Sequence, residues 1–493
     1  MLFSSTLFLF LFLPLVLTLY HAFGVRAKNT VLLVSSLVFY AWGEAWMVLL
    51  MLLSILANYG FGLWVERARE TGPARLQVTL AVVFNLGLLF LFKYADWLWM
   101  SLGGLLAGHP IQPLGGLLVT SDLGRSVLLT GAGHLRLPLG ISFFTFQAMS
   151  YVIDVSRREV PAERNPASFA LYISLFPQLI AGPIVRYRDV AAQLVDRSET
   201  LTRFASGLRR FIIGLGKKVL LANIAGATAT EIFSANRDDV TMPVAWIGLF
   251  AYWVQLYFDF SGYSDMAIGL GRMFGFEFLE NFNYPYIAQS LTDFWRRWHI
   301  SLSTWFRDYL FIPMGGSRGS PLRTYFNLAT VFILCALWHG AEWNYLVFGC
   351  FQGSVLVFER AWFGAKLEKW PRALRHVYLQ LVIAISWVLF RSEDLSLFPA
   401  WLAAMFGMSK GNPALVYPAL YLDSARELVL VAGLIGAMPW LPKLKQWLDR
   451  EPAFAWRKRL LGAGSDLLLC AILLLCSLEL SAGTFNPFIY FRF

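Results

Sequence analysis

The chain has 493 residues, of which 57% are hydrophobic and only 15% are charged, whereas a soluble domain carries roughly 25% charged residues. This composition excludes an ordinary soluble enzyme, and the continuous apolar runs of about 20 residues favour membrane helices over alternating strands. The net charge of +10 comes from Lys and Arg in short loops between apolar runs, as the positive-inside rule requires, so no nucleic-acid partner is predicted.

Twelve apolar stretches are predicted to cross the membrane as helices. They lie at 3–22, 29–42, 45–64, 77–99, 137–153, 219–235, 241–258, 324–341, 343–359, 376–392, 424–442 and 465–483. Arg26 and Lys28 follow the first stretch, which places that loop inside and both termini outside. The sequence therefore predicts an all-α integral membrane protein, a polytopic bundle of one domain over 1–493.

Basic loops between these stretches test the same topology. They lie at 65–76, 186–218, 360–376 and 443–459, and twelve spans place all four in the cytoplasm. This parity requires Ala167 to Ile180 to enter and leave on one side, with Ala181-Gly182-Pro183 as the helix break. The stretch 259–323 is too polar to cross simply, so short helices and re-entrant pieces that line a cavity are predicted there.

Cations, carboxylates, aromatic rings and a histidine are concentrated between Asp293 and Tyr309. If this segment is helical, Asp293 can pair with Arg296 or Arg297 through i,i+3 or i,i+4 spacing. The alternative is an amphipathic interfacial helix whose arginines snorkel. His299 is the better functional candidate, because it shares the segment with many polar partners.

His339 ends an almost unbroken apolar run that extends from Tyr325 to Trp338. A charged group at membrane depth costs about 2.5 kcal/mol or more, so an ionisable residue there is a candidate functional site. A buried neutral imidazole can also act as a general base on an attacking hydroxyl. The alternative is a hydrogen-bonded core histidine.

Two carboxylates and two hydroxyls interrupt the apolar span between Gln255 and Tyr263-Ser264-Asp265. Asp259 and Asp265 could suggest glycoside hydrolysis, but a spacing of six residues fixes no distance between them. A structural role, in which Asp259, Ser261 and their neighbours satisfy irregular backbone, is an equal alternative.

A further polar cluster follows Phe176 to Arg186, at the expected re-entrant turn. Its cations could hold the phosphates of a cytoplasmic donor, although positive-inside loops explain them as well; they are Arg186, Arg188, Arg209, Arg210, Lys217 and Lys218. The four cysteines, which lie in or beside apolar segments without metal-ligand spacing, are predicted to be small hydrophobic residues. No metal site is predicted.

The sequence resembles that of a known family. Arg296 to Ser301, followed by Leu337-Trp338-His339-Gly340, is similar to the paired signature of the membrane-bound O-acyltransferases. Further similarity to the bacterial branch of the family occurs at Phe3-Ser4-Ser5, Gly182-Pro183, Gln255 to Asp265, Asn281 to Tyr286 and Asn486 to Phe491. The resemblance covers nearly the whole chain, with its motif-bearing core at about 137–360.

The resemblance implies a helical inner-membrane protein with a central tunnel. Its family histidine corresponds to His339 and its second signature histidine to His299, both expected to be catalytic. Supporting or tunnel-lining residues are expected at Asp259, Ser261, Tyr263, Asp265, Asn283, Arg296, Arg297, Trp298 and Trp338. Arg186 and Arg188 are the candidates for binding the donor.

The resemblance also implies a reaction. An acetyl group is expected to come from cytoplasmic acetyl-CoA, with no bound cofactor, and to reach periplasmic acetyltransferase partners that esterify an exopolysaccharide, either alginate or cellulose. It leaves open whether His339 carries the acetyl group or removes a proton from the acceptor. D-alanyl or lipid acyl transfer by the same fold remains an alternative. A transporter or flippase is disfavoured, because the sequence shows no internal repeat.

Overall fold

A computed structural model describes residues 1–24, 27–109, 111–236, 238–392, 394–409, 411–450, 455–483 and 486–487. Its regular structure within these ranges is helical, and the one pairing of extended residues is an isolated bridge between Leu129 and Leu135. This confirms the all-α prediction. Arg26 and residues 488–491 of the closing motif lie outside the described residues, as do residues 451–454 of the last basic loop.

The chain divides into two compact units. The first comprises residues 1–205 and 270–279, and the second comprises 206–269 and 280–493. The helices Leu201–Phe233 and Met242–Met273 each contribute residues to both. The prediction of a single domain stays a prediction.

The first unit is built from apolar helices around an aromatic centre. Phe176 contacts Phe12 and Phe39, with ring centroids 5.5 Å away in each case. The helices of this unit are Phe8–Ala22, Lys28–Glu44, Met47–Thr71, Arg75–Ala107, Leu114–Leu118, Asp122–Leu128, Ile141–Ser156, Pro166–Ser174, Phe176–Leu179 and Tyr187–Val195.

The second unit has its own aromatic core, in which Trp298 packs 5.3 Å from Trp387 and 5.6 Å from Phe294. Besides the two shared helices it contains Pro285–Ile287, Leu291–Arg297, Ile300–Phe306, Arg307–Phe311, Pro321–His339, Trp343–Leu367, Arg372–Arg391, Leu395–Met405, Pro418–Tyr421, Ser424–Gly436, Trp440–Arg450 and Ala455–Ser481.

Seven helices in the described ranges are long and apolar enough to cross a membrane. They are Met47–Thr71, Arg75–Ala107, Leu201–Phe233, Pro321–His339, Trp343–Leu367, Arg372–Arg391 and Gly462–Ser481. Each of the twelve predicted stretches is mainly helical, but twelve spans and a central tunnel stay predictions. Several helices run beyond the apolar stretch into the basic segment, so Arg67 and Arg69 are helical rather than in a loop.

One local prediction about backbone was wrong. Gln255 to Asp265 does not introduce irregular backbone, because the helix Met242–Met273 is continuous through it. The segment from Asp293 to Tyr309 consists of short helices, as predicted for 259–323, since Leu291–Arg297 ends before His299 and a new helix begins at Ile300. The predicted break after Ala167 to Ile180 is confirmed, since the last helix there ends at Leu179.

Candidate active site

His339 is the last residue of the helix Pro321–His339. That helix begins favourably, because Pro321 lies at its first position and the side chain of Ser320 accepts a hydrogen bond from the Arg323 amide. It ends at Gly340, where an added Cβ would clash with the ring of Tyr345. The chain then enters the helix that begins at Trp343. The imidazole is consequently fixed at a helix end, with the residue only 5% exposed.

His299 lies at the junction of two short helices and is 1% exposed. Its φ of 45° is left-handed, a conformation that is uncommon outside glycine and that is found at functional sites. A neighbouring strand-like segment supports this turn, because the Asn283 amide donates to the Arg297 carbonyl and the Ile300 amide to the Asn281 carbonyl, both at 2.9 Å. Backbone pairing on both sides of His299 therefore holds its strained conformation.

Asn281 provides the polar contacts around His299. Its Oδ1 lies 3.1 Å from Nδ1 of His299, 3.2 Å from the Ser301 amide nitrogen and 2.9 Å from Ser301 Oγ. Its Nδ2 donates to Ser264 Oγ at 3.0 Å. Asn281 is 1% exposed, so these contacts are shielded from solvent and strongly orienting.

Trp338 lies next to both histidines. Its ring is 6.0 Å from that of His299 and 5.1 Å from that of His339. Edge-to-face rings complete the surroundings, with Phe260 at 4.6 Å from His299 and Phe390 at 5.4 Å from His339. The structure thus brings together both histidines that the sequence singled out.

Burial in this aromatic environment lowers the pKa of His299 well below its usual range, and repulsion from His339, when that residue is protonated, lowers it further. His299 is therefore neutral at pH 7. A neutral imidazole has one nitrogen that donates and one that accepts a hydrogen bond. It can accept a proton from a reacting group.

A cavity of about 1250 Å³ is lined by residues close in sequence to the two histidines, although neither histidine is itself among the lining residues. Its wall includes Ile300, directly after His299, and Cys335, one helical turn before His339 on the same helix. This volume exceeds that of most ligand pockets, which measure roughly 300–1,000 Å³. A large elongated ligand can therefore be held within one residue of His299.

The cavity wall is rich in arginine. Four arginines, Arg296, Arg307, Arg360 and Arg375, line it together with three carboxylates, Asp293, Glu359 and Glu368. Nε of Arg375 is buried and has no hydrogen-bond partner within the described part of the chain. Guanidinium groups bind phosphates in bidentate geometry, so the cavity suits a phosphorylated ligand.

Asp259 lies directly before Phe260 on the helix that packs against His299. It pairs with Lys218 at 2.6 Å, and both side chains are 2% exposed. The pair is possible because the two helices approach closely at glycine, where an added Cβ on Gly214 would lie 2.6 Å from the Gly262 carbonyl oxygen. Asp259 therefore supports the helix beside the site through an ion pair.

The other carboxylate of that motif, Asp265, belongs to a separate ionic cluster. It contacts Arg210 at 2.8 Å and Lys217 at 2.6 Å, and Arg210 also pairs with Glu280 at 2.5 Å. Glu280 directly precedes Asn281. The cluster consequently anchors the segment that supports His299 rather than contributing a second acid to it.

The remaining expected site residues are dispersed. Ser261 is buried, and its Oγ has no hydrogen-bond partner among the residues that the structure describes. Arg297 pairs with Asp293 at 2.9 Å, one of the two pairings predicted for that carboxylate. Tyr263 and Trp298 are buried, whereas Asn283 is exposed. The roles of all these residues stay predictions.

The two arginines expected to bind the donor lie in the first unit. Arg186 is 5% exposed at the start of the helix Tyr187–Val195. Arg188 pairs with Glu159 and lies 4.0 Å from Asp154. Their donor-binding role stays a prediction, whereas the arginines around the large cavity were not selected for that role from sequence.

Asn281, Ser301 and Phe390 also lie at the site but were not predicted as site residues from the sequence. Asn281 was part of the quoted motif, but Asn283 was selected from it. The distinguishing signal is tertiary, because backbone pairing with the residues around His299 decides which asparagine faces the site. Ser301 carried a weak signal, since it ends the first signature, and Phe390 carried none.

Residues 34–391 match the model of MBOAT, the membrane-bound O-acyltransferase family. The chain belongs to this family. The match spans most of the chain and confirms the prediction of a multi-pass membrane enzyme that transfers acyl groups to hydroxyls. Both candidate histidines lie within the matched residues.

Relatives of the chain have the same class of activity in their names. It is 41% identical to the probable alginate O-acetylase AlgI of Azotobacter vinelandii and 39% identical to that of Pseudomonas aeruginosa, with 100% of each chain covered. It is 34% identical to the peptidoglycan O-acetyltransferase of Helicobacter pylori, over 83% of this chain and 80% of the relative. These similarities confirm the prediction of an O-acetyltransferase.

Proposed function

We propose that this membrane O-acetyltransferase moves an acetyl group from cytoplasmic acetyl-CoA across the bacterial inner membrane for O-acetylation of an exopolysaccharide, alginate. The observation that carries the proposal is that the buried histidines His299 and His339 both pack against Trp338, while Ile300 and Cys335, which are near them in sequence, line a cavity of about 1250 Å³. Neighbours of each histidine in sequence form part of the cavity wall.

The cavity is the proposed site of the acetyl donor. Acetyl-CoA is long and carries phosphates at one end and a thioester at the other. The guanidinium groups of Arg296, Arg307, Arg360 and Arg375 suit the phosphates, and we place the thioester end at the part of the wall formed by Ile300 and Cys335. The donor would thus have its thioester nearest to the buried site.

In the proposed step, His339 acts as a general base. It takes the proton of an acceptor hydroxyl while that oxygen attacks the thioester carbonyl carbon. The carbon–sulfur bond breaks, and the leaving CoA thiolate takes from the His339 imidazolium the proton that came from the hydroxyl, which returns His339 to its neutral form. The aromatic rings of Trp338 and Phe390 around His339 would exclude water, which protects the thioester from hydrolysis.

The acceptor side of the proposal rests on relatives. Alginate O-acetylases align with the chain over its full length, which supports alginate as the polymer. Periplasmic acetyltransferase partners would receive the acetyl group and esterify the polysaccharide. The positions of the basic loops support an orientation with both termini in the periplasm, and an inner-membrane location is part of the same proposal.

Replacement of His339 tests the proposal in cells that lack the native gene. His339→Ala should abolish acetylation of the exopolysaccharide while the protein still accumulates in the membrane. His134→Ala is the control, because His134 is 40% exposed and pairs only loosely with Asp96, at 3.7 Å. Wild-type acetylation in His339→Ala would contradict the proposal, and mass analysis of the polymer distinguishes acetyl from alanyl groups.

Cys335 allows a direct test of the donor cavity. In a variant that keeps Cys335 and has its other three cysteines replaced by serine, acetyl-CoA should slow alkylation of the thiol by a maleimide. A matched variant that keeps only the exposed Cys350 should react at the same rate with and without acetyl-CoA. Equal protection of both thiols, or of neither, would contradict donor binding in this cavity.

A further inference from the structure

Asn281 has a fixed orientation. Its side-chain atom that faces the Ser301 backbone must be the oxygen, because a backbone N–H can only donate. Its nitrogen then faces Ser264 Oγ, which accepts at 3.0 Å. In the flipped orientation, the Asn281 amide nitrogen would face the Ser301 N–H, and two donors would oppose each other. The amide oxygen is therefore the atom that faces His299.

That orientation determines the tautomer of His299. The carbonyl oxygen of an amide can only accept, so Nδ1 of His299, 3.1 Å away, must carry the hydrogen. In the neutral ring Nε2 is then the nitrogen with the lone pair. His299 consequently presents a hydrogen-bond acceptor at Nε2, not a donor.

We propose that Asn281 is a positioning residue that holds His299 as the Nδ1–H tautomer, so that Nε2 serves as a proton acceptor in the site. The inference rests on the proposed function for the reaction in which that acceptor is used. Because Nε2 of the neutral ring carries no hydrogen, His299 does not stabilise a developing oxyanion by donating to it. The site therefore does not consist of one histidine that acts as a base and a second histidine that donates a hydrogen bond to the oxyanion.

The positioning extends beyond the asparagine. Ser264, which receives the Asn281 amide, precedes Asp265, and the ionic cluster of Asp265 with Arg210 holds Glu280 next to Asn281. The segment that determines the tautomer is thus fixed to the helix Met242–Met273 at Asn281 directly, and at Glu280 through Arg210. These contacts orient the Asn281 oxygen, which is the atom that faces His299.

Nitrogen NMR of the membrane-embedded protein with ¹⁵N-labelled histidine reads the tautomer without any substrate. Signals of His299, assigned by their loss in His299→Gln, should show a protonated Nδ1 and an unprotonated Nε2. A protonated Nε2 in the wild-type protein would overturn the proposal. This result does not depend on acetyl transfer, so it is separate from failure of the proposed function, which His339→Ala reports.

Two substitutions at Asn281 test the functional consequence. Asn281→Ala should lower kcat roughly tenfold or more and leave the KM for acetyl-CoA unchanged, because Asn281 acts through His299. Asn281→Asp should restore much of the rate, since its carboxylate accepts from His299 and Ser301 and can accept from Ser264 as well. Asn236→Ala, at an exposed asparagine that contacts Asp239, is the control.

The pH profile separates positioning from a merely structural role. In Asn281→Asp the new negative charge should raise the pKa of His299, so the acid limb of the pH–rate profile should move to higher pH. The titratable group that already acts on His299 is His339, which the variant leaves in place. An unshifted profile in Asn281→Asp would overturn the proposal, and so would no loss of kcat in a folded Asn281→Ala.

Discussion

The indole of Trp338 presents an edge-to-face contact to His299, with ring centroids 6.0 Å apart. Because the same indole lies 5.1 Å from His339, one side chain sets the separation of the two histidines. Trp338 is 3% exposed, so its position depends on packing rather than on solvent.

Trp338→Ala should therefore impair both folding and transfer. Loss of a buried tryptophan costs about 3–5 kcal/mol, and the two imidazoles would lose their common neighbour. Trp338→Phe should retain more of the acetyl-transfer rate, because a smaller ring can still contact both. Transfer rates and thermal unfolding in detergent measure the two effects. Trp46→Ala is the control, because Trp46 is 62% exposed. Equal losses in Trp338→Ala and Trp46→Ala would refute this role of Trp338.

The buried pair of Lys218 and Asp259 predicts strongly non-additive stability. Removing one partner leaves an uncompensated buried charge, so Lys218→Met or Asp259→Leu should each destabilise the protein by about 3–5 kcal/mol. The double variant Lys218→Met/Asp259→Leu should lose much less than the sum of the single losses. Thermal unfolding of the four proteins gives the coupling, and simple additivity would show that the pair is not a unit.

Acid should destabilise the folded protein through His299. Its pKa is lowered in the folded state by burial and, when His339 is protonated, by repulsion from it, whereas in the unfolded chain it is about 6.5. Below about pH 6.5 the unfolded state therefore binds more protons than the folded state. The free energy of unfolding keeps its full value above about pH 6.5 and decreases as the pH falls below it. Between pH 7.5 and 5, unfolding temperatures should fall more for the wild-type protein than for His299→Gln, and parallel curves would contradict the expectation.

Gly340 makes a close contact at the end of the His339 helix. A methyl group there would displace Tyr345, whose ring packs 5.2 Å from Phe390, the neighbour of His339. Gly340→Ala should therefore lower both the transfer rate and the unfolding temperature. Gly464→Ala is the matched control, because nothing lies within 4 Å of an added Cβ there; a Gly340→Ala variant as active and stable as that control would disprove the packing argument.

Apolar periodicity predicted much of this fold because lipid and buried helices require long apolar segments. All twelve predicted stretches are mainly helical, and His339 lies at a helix end near the end of the predicted stretch 324–341. Helix length was harder to predict, because the polar residues from Asp259 to Asp265 look like an interruption. Their charges are balanced by Lys218 and Arg210 from another helix, which no local pattern shows.

The site was predictable in its two histidines but not in their support. Both stood out as ionisable residues in apolar or aromatic surroundings. Asn281 could not be chosen over Asn283, because the choice depends on pairing with Arg297 and Ile300. The arginines of the cavity come from four separate helical segments, so their convergence is also a property of the tertiary structure.

Lys218 also donates to Asn223 Oδ1 at 2.9 Å and to the main-chain carbonyl of Pro487, and Asn223 donates to the neighbouring Asn486 at 3.1 Å. Lysine and carbonyl are separated by 269 positions in the chain. During synthesis, therefore, the helix that carries Lys218 is complete long before this acceptor exists. The core around Asp259 can reach its final arrangement only after residue 487 has left the ribosome, which makes this contact a late step in the biogenesis of the protein.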